Sequence, residues 1–123
     1  MSATIAQLVD GVVVHRFELK VGVTTVGRKP ENDIVIQDPA VSSAHAHFVV
    51  QPNKDFAQYM DVYVEDFGST NGTFVNNLPV NKKHKLVNYD VVRFGFNDFR
   101  FMDDENADMT RTVHIASPNG DLI

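Results

Sequence analysis

The chain contains no cysteine, which excludes disulfide bonds, thiolate metal sites and cysteine nucleophiles together. No stretch approaches the roughly 20 consecutive apolar residues that a membrane-spanning helix needs. The first residues, MSATIAQLVDG, also lack a basic segment followed by a long apolar run, so no signal peptide is visible. We therefore expect a soluble, cytoplasmic protein that does not bind membranes.

Basic stripes of the kind that bind nucleic acid are also missing. The one basic cluster, NKKHK at 81–85, is predicted to be a solvated loop. From Asp103 onward the chain has five acidic residues and one basic residue, whereas the preceding 102 residues have eleven acidic and ten basic residues. The net charge of −5 is therefore concentrated at the end of the chain. We predict one domain over residues 1–102 and an acidic tail over 103–123 that is flexible or adds an edge segment.

Short β-patterned runs recur about every ten residues, separated by turn residues. Asp10-Gly11 lies between two such runs and is a strong signal for a two-residue hairpin. Ala46, Phe48 and Val50 share one parity of a later run and are expected to face the core. No convincing helix or internal repeat is found in the first 102 residues. The pattern predicts an all-β fold, an antiparallel β-sandwich with its connecting loops gathered at the two ends. The predicted strands are TIAQLV, VVVHRFEL, VTTVG, DIVI, AHFVV, DVYVED, GTFV, DVVRFG and DFRFM.

Three polar loops follow or precede these runs. Gly27-Arg28 comes directly after one run, and Ser42-Ser43-x-His45 comes directly before another. The third loop, DFGSTNGTFVN at 66–76, places small or turn-prone residues in a row that can bury little apolar surface. Taken alone, its STNGT sequence is equally typical of a plain hairpin turn.

In this order and at these spacings, Gly27-Arg28, Ser42-x-x-His45, Asn71-Gly72-Thr73 and Asn76 closely resemble the forkhead-associated (FHA) domain. The resemblance covers about residues 3–102. It implies a β-sandwich that binds phosphothreonine in partner proteins through loops at one end, as a signalling module without catalytic activity or cofactor. It also implies which residues bind the phosphopeptide and which support the loops. The binding residues are Arg28, Ser42, Ser43, Thr70 and Asn71, and the supporting residues are Gly27, His45, Gly72, Thr73 and Asn76.

The side-chain chemistry suits such a ligand. A phosphothreonine carries about −1.5 to −2 charges and three strong acceptor oxygens. The guanidinium of Arg28 can bind phosphate oxygens in a forked geometry, and the hydroxyls of Ser42 and Thr70 add donors at little entropic cost. Ser43 stands where family members often carry Arg, Lys or Asn, so we expect weaker phosphate binding or greater reliance on Arg28.

Several alternatives remain open. A phosphate-independent interaction domain could keep the same fold. Ser42, His45 and Asp66 include the residue types of a nucleophilic triad, but no nucleophile elbow is present. His45 and His47 lie two residues apart, yet lack a third metal ligand nearby in sequence, and no metal site is predicted.

The tail suggests one narrower hypothesis. Thr110 and Thr112 follow an acidic stretch, and each has an aliphatic residue three positions later, Val113 and Ile115. The FHA resemblance makes that third position a common point of selection. If phosphorylated, either threonine could bind to the site of its own or a neighbouring chain.

Overall fold

The computed structural model describes residues 3–103. The tail threonines, Thr110 and Thr112, lie outside the described residues, as does most of the predicted tail. The described part contains no helix, and hence none that could cross a membrane. It consists of the strands β1 (Ala3–Val9), β2 (Val12–Leu19), β3 (Gly22–Gly27), β4 (Ile34–Val35), β5 (Ala46–Pro52), β6 (Met60–Asp66), β7 (Thr73–Val75), β8 (Leu78–Pro79), β9 (Lys83–Lys85), β10 (Val91–Phe94) and β11 (Asn97–Asp103).

The strands form two sheets, which confirms the predicted β-sandwich. One sheet has the order β2-β1-β11-β10-β7-β8, and the other has the order β4-β3-β5-β6-β9. Neighbouring strands in both sheets are antiparallel except β3 and β4, which run parallel over two residues. The parallel pair arises because the polar loop at 28–33 carries the chain back along the edge of β3 instead of reversing it in a hairpin.

The hairpin between β1 and β2 turns at Asp10-Gly11, as predicted. Both residues have positive φ, 52° and 78°, the conformation that a two-residue turn of this kind requires. A bulge shifts the register between Gln7 and Leu8, so that Leu8 lies opposite Val13 while Gln7 lies opposite His15. The remaining pairs, from His15 to Leu19, are regular.

The core lies between the two sheets and follows the alternation along the strands. Ala46, Phe48 and Val50 are fully buried, while Gln51 is exposed, which confirms the predicted core face of β5. Four phenylalanines on β5, β10 and β11 are buried, and the ring of Phe94 packs edge-on against those of Phe48 and Phe99. This aromatic centre fixes the relative position of the two sheets beneath the loops.

Two short strands were not predicted from the sequence. β8 contains an exposed leucine and a proline, and β9 is made of Lys83, His84 and Lys85. The prediction of a loop over 81–85 is therefore wrong for its last three residues, although all three are exposed. β9 pairs with β6 through its backbone, which needs no apolar side chains at an edge. β11 extends to Asp103, one residue beyond the predicted domain boundary.

Tyr89 has a φ of 74° in the turn before β10, and 63% of its surface is exposed. The left-handed conformation costs a non-glycine residue about 1–2 kcal/mol, and the added flexibility of glycine in the unfolded chain costs about 0.4–1 kcal/mol. We therefore expect Tyr89→Gly to raise the free energy of unfolding by about 0.5 kcal/mol in urea denaturation. Tyr89→Ala keeps the strained Cβ and should give no gain; an equal gain in both variants would contradict this account.

Candidate functional site at one end of the sandwich

Gly27 ends β3 and is buried against the loop that precedes β5. A Cβ at this position would collide with the carbonyl oxygen of Ser43 and lie 2.6 Å from Nδ2 of Asn32. The same Asn32 Nδ2 donates to the Ser43 oxygen at 2.8 Å. Glycine is therefore required for the close approach of the two loops. Arg28 follows it directly, so its position depends on that contact.

Arg28 is held through both its backbone and its side chain. Its backbone N–H donates to the Ser42 carbonyl at 3.0 Å, and its side-chain Nε donates to the Val41 carbonyl at 2.9 Å. The residue is exposed, and no carboxylate in residues 3–103 forms an ion pair with it. The guanidinium is thus oriented through Nε, while its two Nη groups have no hydrogen-bond partner within the described part of the chain.

Ser42 and Thr70 are brought together from loops 28 residues apart. The Thr70 N–H donates to Oγ of Ser42 at 3.1 Å. The Ser42 oxygen is thereby positioned while its own O–H remains able to donate. Thr70 is exposed, and its hydroxyl has no partner among residues 3–103. Arg28, Ser42 and Thr70 therefore form one connected group at the end of the sandwich.

Asn71 bridges to the same loop one residue further on. Its Nδ2 donates to the Ala40 carbonyl at 2.7 Å, which leaves Oδ1 as an acceptor. Ala40 is itself fixed, because its N–H donates to Oδ1 of Asp38 at 2.9 Å, and Asn97 donates to the other oxygen of Asp38 at 3.0 Å. These bonds from Ala40 and Asn97 lower the pKa of the Asp38 carboxyl. Asp38 thus anchors the loop that anchors Asn71.

His45 joins the two loops from beneath. The imidazole is completely buried; its Nδ1 accepts the Ser42 N–H at 3.0 Å, and its Nε2 lies 2.9 Å from the Gly72 carbonyl oxygen. An acceptor at Nδ1 and a carbonyl at Nε2 require the neutral tautomer with the proton on Nε2. Gly72, with a φ of 87°, presents its carbonyl to that proton. The backbone on both sides of the site is therefore positioned by one ring.

Asp66 organises the STNGT loop, a supporting role that was not predicted from the sequence. Its two carboxylate oxygens accept the N–H groups of Gly68 and Ser69 at 2.7 and 3.0 Å and the hydroxyls of Ser69 and Thr73 at 2.6 and 2.7 Å. Burial alone would raise the pKa of Asp66, but the hydrogen bonds from Ser69, Thr73 and Gly68 lower it overall. The carboxylate is therefore ionised at neutral pH and stabilises the loop.

Two predicted supporting residues, Thr73 and Asn76, and one predicted binding residue, Ser43, remain to be placed. Thr73 is buried and donates to Asp66, so it belongs to the loop beneath Thr70. Asn76 does not reach the site. Its Nδ2 donates to Asp90 at 2.8 Å and its Oδ1 accepts from the Val91 N–H at 3.0 Å, so it holds the β7–β8 turn against the start of β10. Ser43 contributes its carbonyl to the contact with Lys29 and Asn32, while its hydroxyl has no partner within residues 3–103.

Asp66, Asp38 and Asn32 are the site residues that the sequence analysis missed. The first two had a readable signal: each is an aspartate whose carboxylate accepts the N–H two residues later, at Gly68 and Ala40, as in an Asx-turn. Asn32 had none, because its partner Ser43 lies eleven residues away across a loop.

Ser42, His45 and Asp66 do not form a catalytic triad, and His47 is not part of a metal site among residues 3–103. His45 accepts from the backbone N–H of Ser42 and not from its hydroxyl, and its Nε2 is 4.0 Å from Asp66, so the three do not form a nucleophile, base and orienting acid. His47 pairs instead with Glu65 at 2.8 Å and packs against the ring of Phe67. Within the described residues no group of three or more His, Asp or Glu could hold a metal ion.

Comparison with known proteins decides the family. The family model described as FHA domain matches residues 24–95, more than half of the chain and all three site loops. The chain belongs to the FHA domain family. As an FHA domain it is similar to the glycogen accumulation regulator GarA of Mycobacterium tuberculosis, with 40% identity over 80 residues that cover 65% of this chain and 44% of GarA. It is also similar to the oxoglutarate dehydrogenase inhibitor of Corynebacterium glutamicum, with 42% identity over 66 residues that cover 54% of this chain and 41% of the inhibitor.

The chain therefore spans less than half the length of each of these two relatives. Among solved structures, the MEK1 FHA domain in complex with a phosphothreonine peptide of HOP1 superimposes with a TM-score of 0.68 at 26% identity. The match covers 84% of this chain and 97% of the MEK1 domain. The FHA fold is thus shared over nearly the whole described region.

Gly27→Ala tests the close approach that positions Arg28. Because the new methyl group would meet a backbone carbonyl that cannot rotate away, we expect the free energy of unfolding to fall by about 1–3 kcal/mol. The amide NMR shifts of residues 28, 29, 42 and 43 should change with it. Gly68→Ala is the control for the amide shifts only: a Cβ there meets nothing within 4 Å, but its φ of 73° is unfavourable for alanine and lowers stability on its own by about 1–2 kcal/mol. Unchanged amide shifts in Gly27→Ala would refute the contact.

Asp66→Asn tests the buried carboxylate. The folded-state pKa of Asp66 is lowered, so its ionised form stabilises the fold above the unfolded-state pKa of about 3.9, and this contribution is lost as pH falls through the folded-state pKa. We expect Asp66→Asn to lower the free energy of unfolding at pH 7 by about 1–3 kcal/mol and to flatten its decline below about pH 4. Asp55→Asn, at an exposed position, is the control. Urea denaturation across pH would contradict the assignment if the Asp66→Asn and wild-type curves stay parallel.

Proposed function

We propose that this FHA domain binds threonine-phosphorylated segments of partner proteins through Arg28, Ser42, Ser43, Thr70 and Asn71. The observation that carries the proposal is the state of Arg28. Its Nε is fixed to Val41, its backbone is fixed to Ser42, and both Nη groups are without a partner in residues 3–103. A guanidinium oriented by one nitrogen and open at the other two is preorganised for a doubly charged oxyanion.

The donors around Arg28 are numerous enough for a phosphate group. Besides the Nη groups, the hydroxyls of Ser42, Ser43 and Thr70 lack an acceptor within the described chain. Charge-assisted hydrogen bonds contribute about 1.5–3 kcal/mol each. Two or three of them, together with main-chain contacts, supply the roughly 8 kcal/mol of a micromolar complex. The phosphate is therefore the dominant element of recognition.

Asn71 supports recognition of the peptide backbone. With Nδ2 held by Ala40, its Oδ1 is available to accept a peptide N–H next to the phosphothreonine. Such a contact is independent of sequence and fixes the direction of the bound segment. Preference for phosphothreonine over phosphoserine, an expectation from the family, depends on burying one methyl group. At about 0.8 kcal/mol per methyl group, the preference would be several-fold.

The relatives support a regulatory role for this binding. The two curated relatives are named as a regulator of glycogen accumulation and an inhibitor of oxoglutarate dehydrogenase. The MEK1 domain is an FHA domain bound to a phosphothreonine peptide. We infer that the present domain likewise recruits a phosphorylated protein, without a cofactor and without catalysis. Thr110 and Thr112 remain candidate ligands for the site of the same or a neighbouring chain.

Titration with matched phosphothreonine, phosphoserine and unmodified threonine peptides, drawn from an oriented phosphothreonine library, tests the proposal. We expect micromolar binding of the phosphothreonine peptide and no measurable binding of the unmodified one. Arg28→Ala should weaken binding by roughly 10–100-fold, because it removes a charge-assisted contact of about 1.5–3 kcal/mol. Arg28→Lys should recover only part of the loss, since an ammonium group lacks the fork.

Arg100→Ala is the matched control, because Arg100 is exposed on β11 and its side chain has no hydrogen bond or ion pair within residues 3–103. It should bind the phosphopeptide like the wild type. Equal affinity for phosphorylated and unmodified peptides would instead favour the phosphate-independent interaction domain. Equal losses in Arg28→Ala and Arg100→Ala would show that binding reflects only net charge.

A further inference from the structure

The four edges of the two sheets differ greatly in length. In the described chain, β4 and β8 have two residues and β9 has three, whereas β2 has eight. Very short edge strands are a common protection against unwanted pairing. Three edges are protected in this way, and β2 is the exception.

The first half of β2 is also apolar, although these residues lie outside the pairing proposed below. Val12, Val13 and Val14 are 63%, 39% and 54% exposed. The bulge at Gln7/Leu8 bends the strand near these valines but leaves His15–Leu19 regular. Beside that regular part, a cavity of about 440 Å³ opens between β2 and the β3–β4 edge, lined by Arg16, Phe17, Val21, Val23 and Ile34 among others. The cavity therefore borders the part of β2 to which a further strand could be added.

The sequence of β2 is self-complementary in one antiparallel register. Arg16 and Glu18 lie on the same face, one on each side of Phe17, and both are exposed. When two copies pair with Phe17 opposite Phe17, each Arg16 lies opposite a Glu18, which gives two cross-strand ion pairs. Only registers shifted by two residues preserve the faces of both sheets. Two neighbouring registers meet this condition. The first puts Arg16 opposite Arg16 and the second puts Glu18 opposite Glu18, so both bring like charges together.

We propose that β2 pairs with β2 of a second copy of this chain, antiparallel and centred on Phe17, to form a continuous sheet across a homodimer. The charge pattern selects a second copy as the partner over an unrelated strand, because the same two residues provide both halves of each ion pair. Phe17, which is half-buried and packs towards Phe99 at 6.4 Å between ring centroids, would be covered by its own equivalent.

The dimer leaves the phosphopeptide site open. The site loops follow Gly27 and Asp66, at one end of the sandwich. The proposed contact lies in the last half of β2, towards the other end, where Leu19 pairs with Ala3 and Ala3 pairs with Asp103. An antiparallel pair points the two sites in opposite directions. The proposal is therefore independent of phosphothreonine binding, and neither result decides the other.

Sedimentation velocity of the full chain over a range of concentrations tests the dimer. We expect wild type to self-associate, and Arg16→Glu or Glu18→Arg alone to weaken the dimer by roughly tenfold or more, because each places like charges opposite one another twice. The double variant Arg16→Glu/Glu18→Arg should restore wild-type association. Lys54→Glu, an exposed lysine in the β5–β6 loop, controls for the change in net charge.

The register can be tested further by mixing. The two single variants should each be mainly monomeric, yet form a heterodimer with each other, since an acidic pair then meets a basic pair. The absence of native cysteine permits a second check. Arg16→Cys/Glu18→Cys should form a disulfide-linked dimer under mild oxidation. A chain that stays monomeric at every concentration, or a dimer indifferent to the single charge changes, would overturn the proposal.

Discussion

The site depends on one buried imidazole. His45 accepts from the Ser42 N–H and donates to the Gly72 carbonyl, so a single neutral ring sets the distance between the two loops that carry Ser42 and Thr70. Besides this ring, the two loops are joined by the Thr70–Ser42 and Asn71–Ala40 bonds and by the Phe67 N–H, which donates to the His45 carbonyl. An imidazole is rigid and bifunctional, and because it is fully buried it does not exchange these bonds with water. The positions of the exposed donors follow from it.

The polar groups of the site are of two kinds: some bond to the loops themselves, and others have no partner in the described chain. The first kind holds the loops in one shape, and the second kind is exposed on that shape. Asp66, Asp38, Asn32 and His45 direct their hydrogen bonds to the loops themselves, which fixes the backbone. The Nη groups of Arg28 and the hydroxyls of Ser42, Ser43 and Thr70 have no acceptor within residues 3–103. Because the supporting bonds are already formed, a ligand would not need to order the loops, and less of its binding energy is lost to entropy.

The fold could be read from the sequence further than the site could. Alternation in Ala46, Phe48 and Val50 and the Asp10-Gly11 turn are local patterns, and the structure follows them. β8 and β9 were not predicted, because edge strands pair through their backbone and need no particular side-chain pattern. The grouping of Arg28, Ser42 and Thr70 was available only through family resemblance. Bonds such as Asn32 to Ser43 or Asn71 to Ala40 join residues eleven and 31 positions apart, and no short-range periodicity records them.

Under the proposed phosphothreonine binding, serine at position 43 leaves Arg28 to neutralise the phosphate charge. A cation on each loop would share the charge of a phosphate, whereas here the second loop offers only hydroxyls and backbone. The fixation of Arg28 through Nε is consistent with that role: a side chain that otherwise samples many rotamers is restricted to one from which only the fork projects. The same reasoning explains why Gly27 tolerates no side chain, since any displacement of β3 relative to Ser43 moves the guanidinium directly.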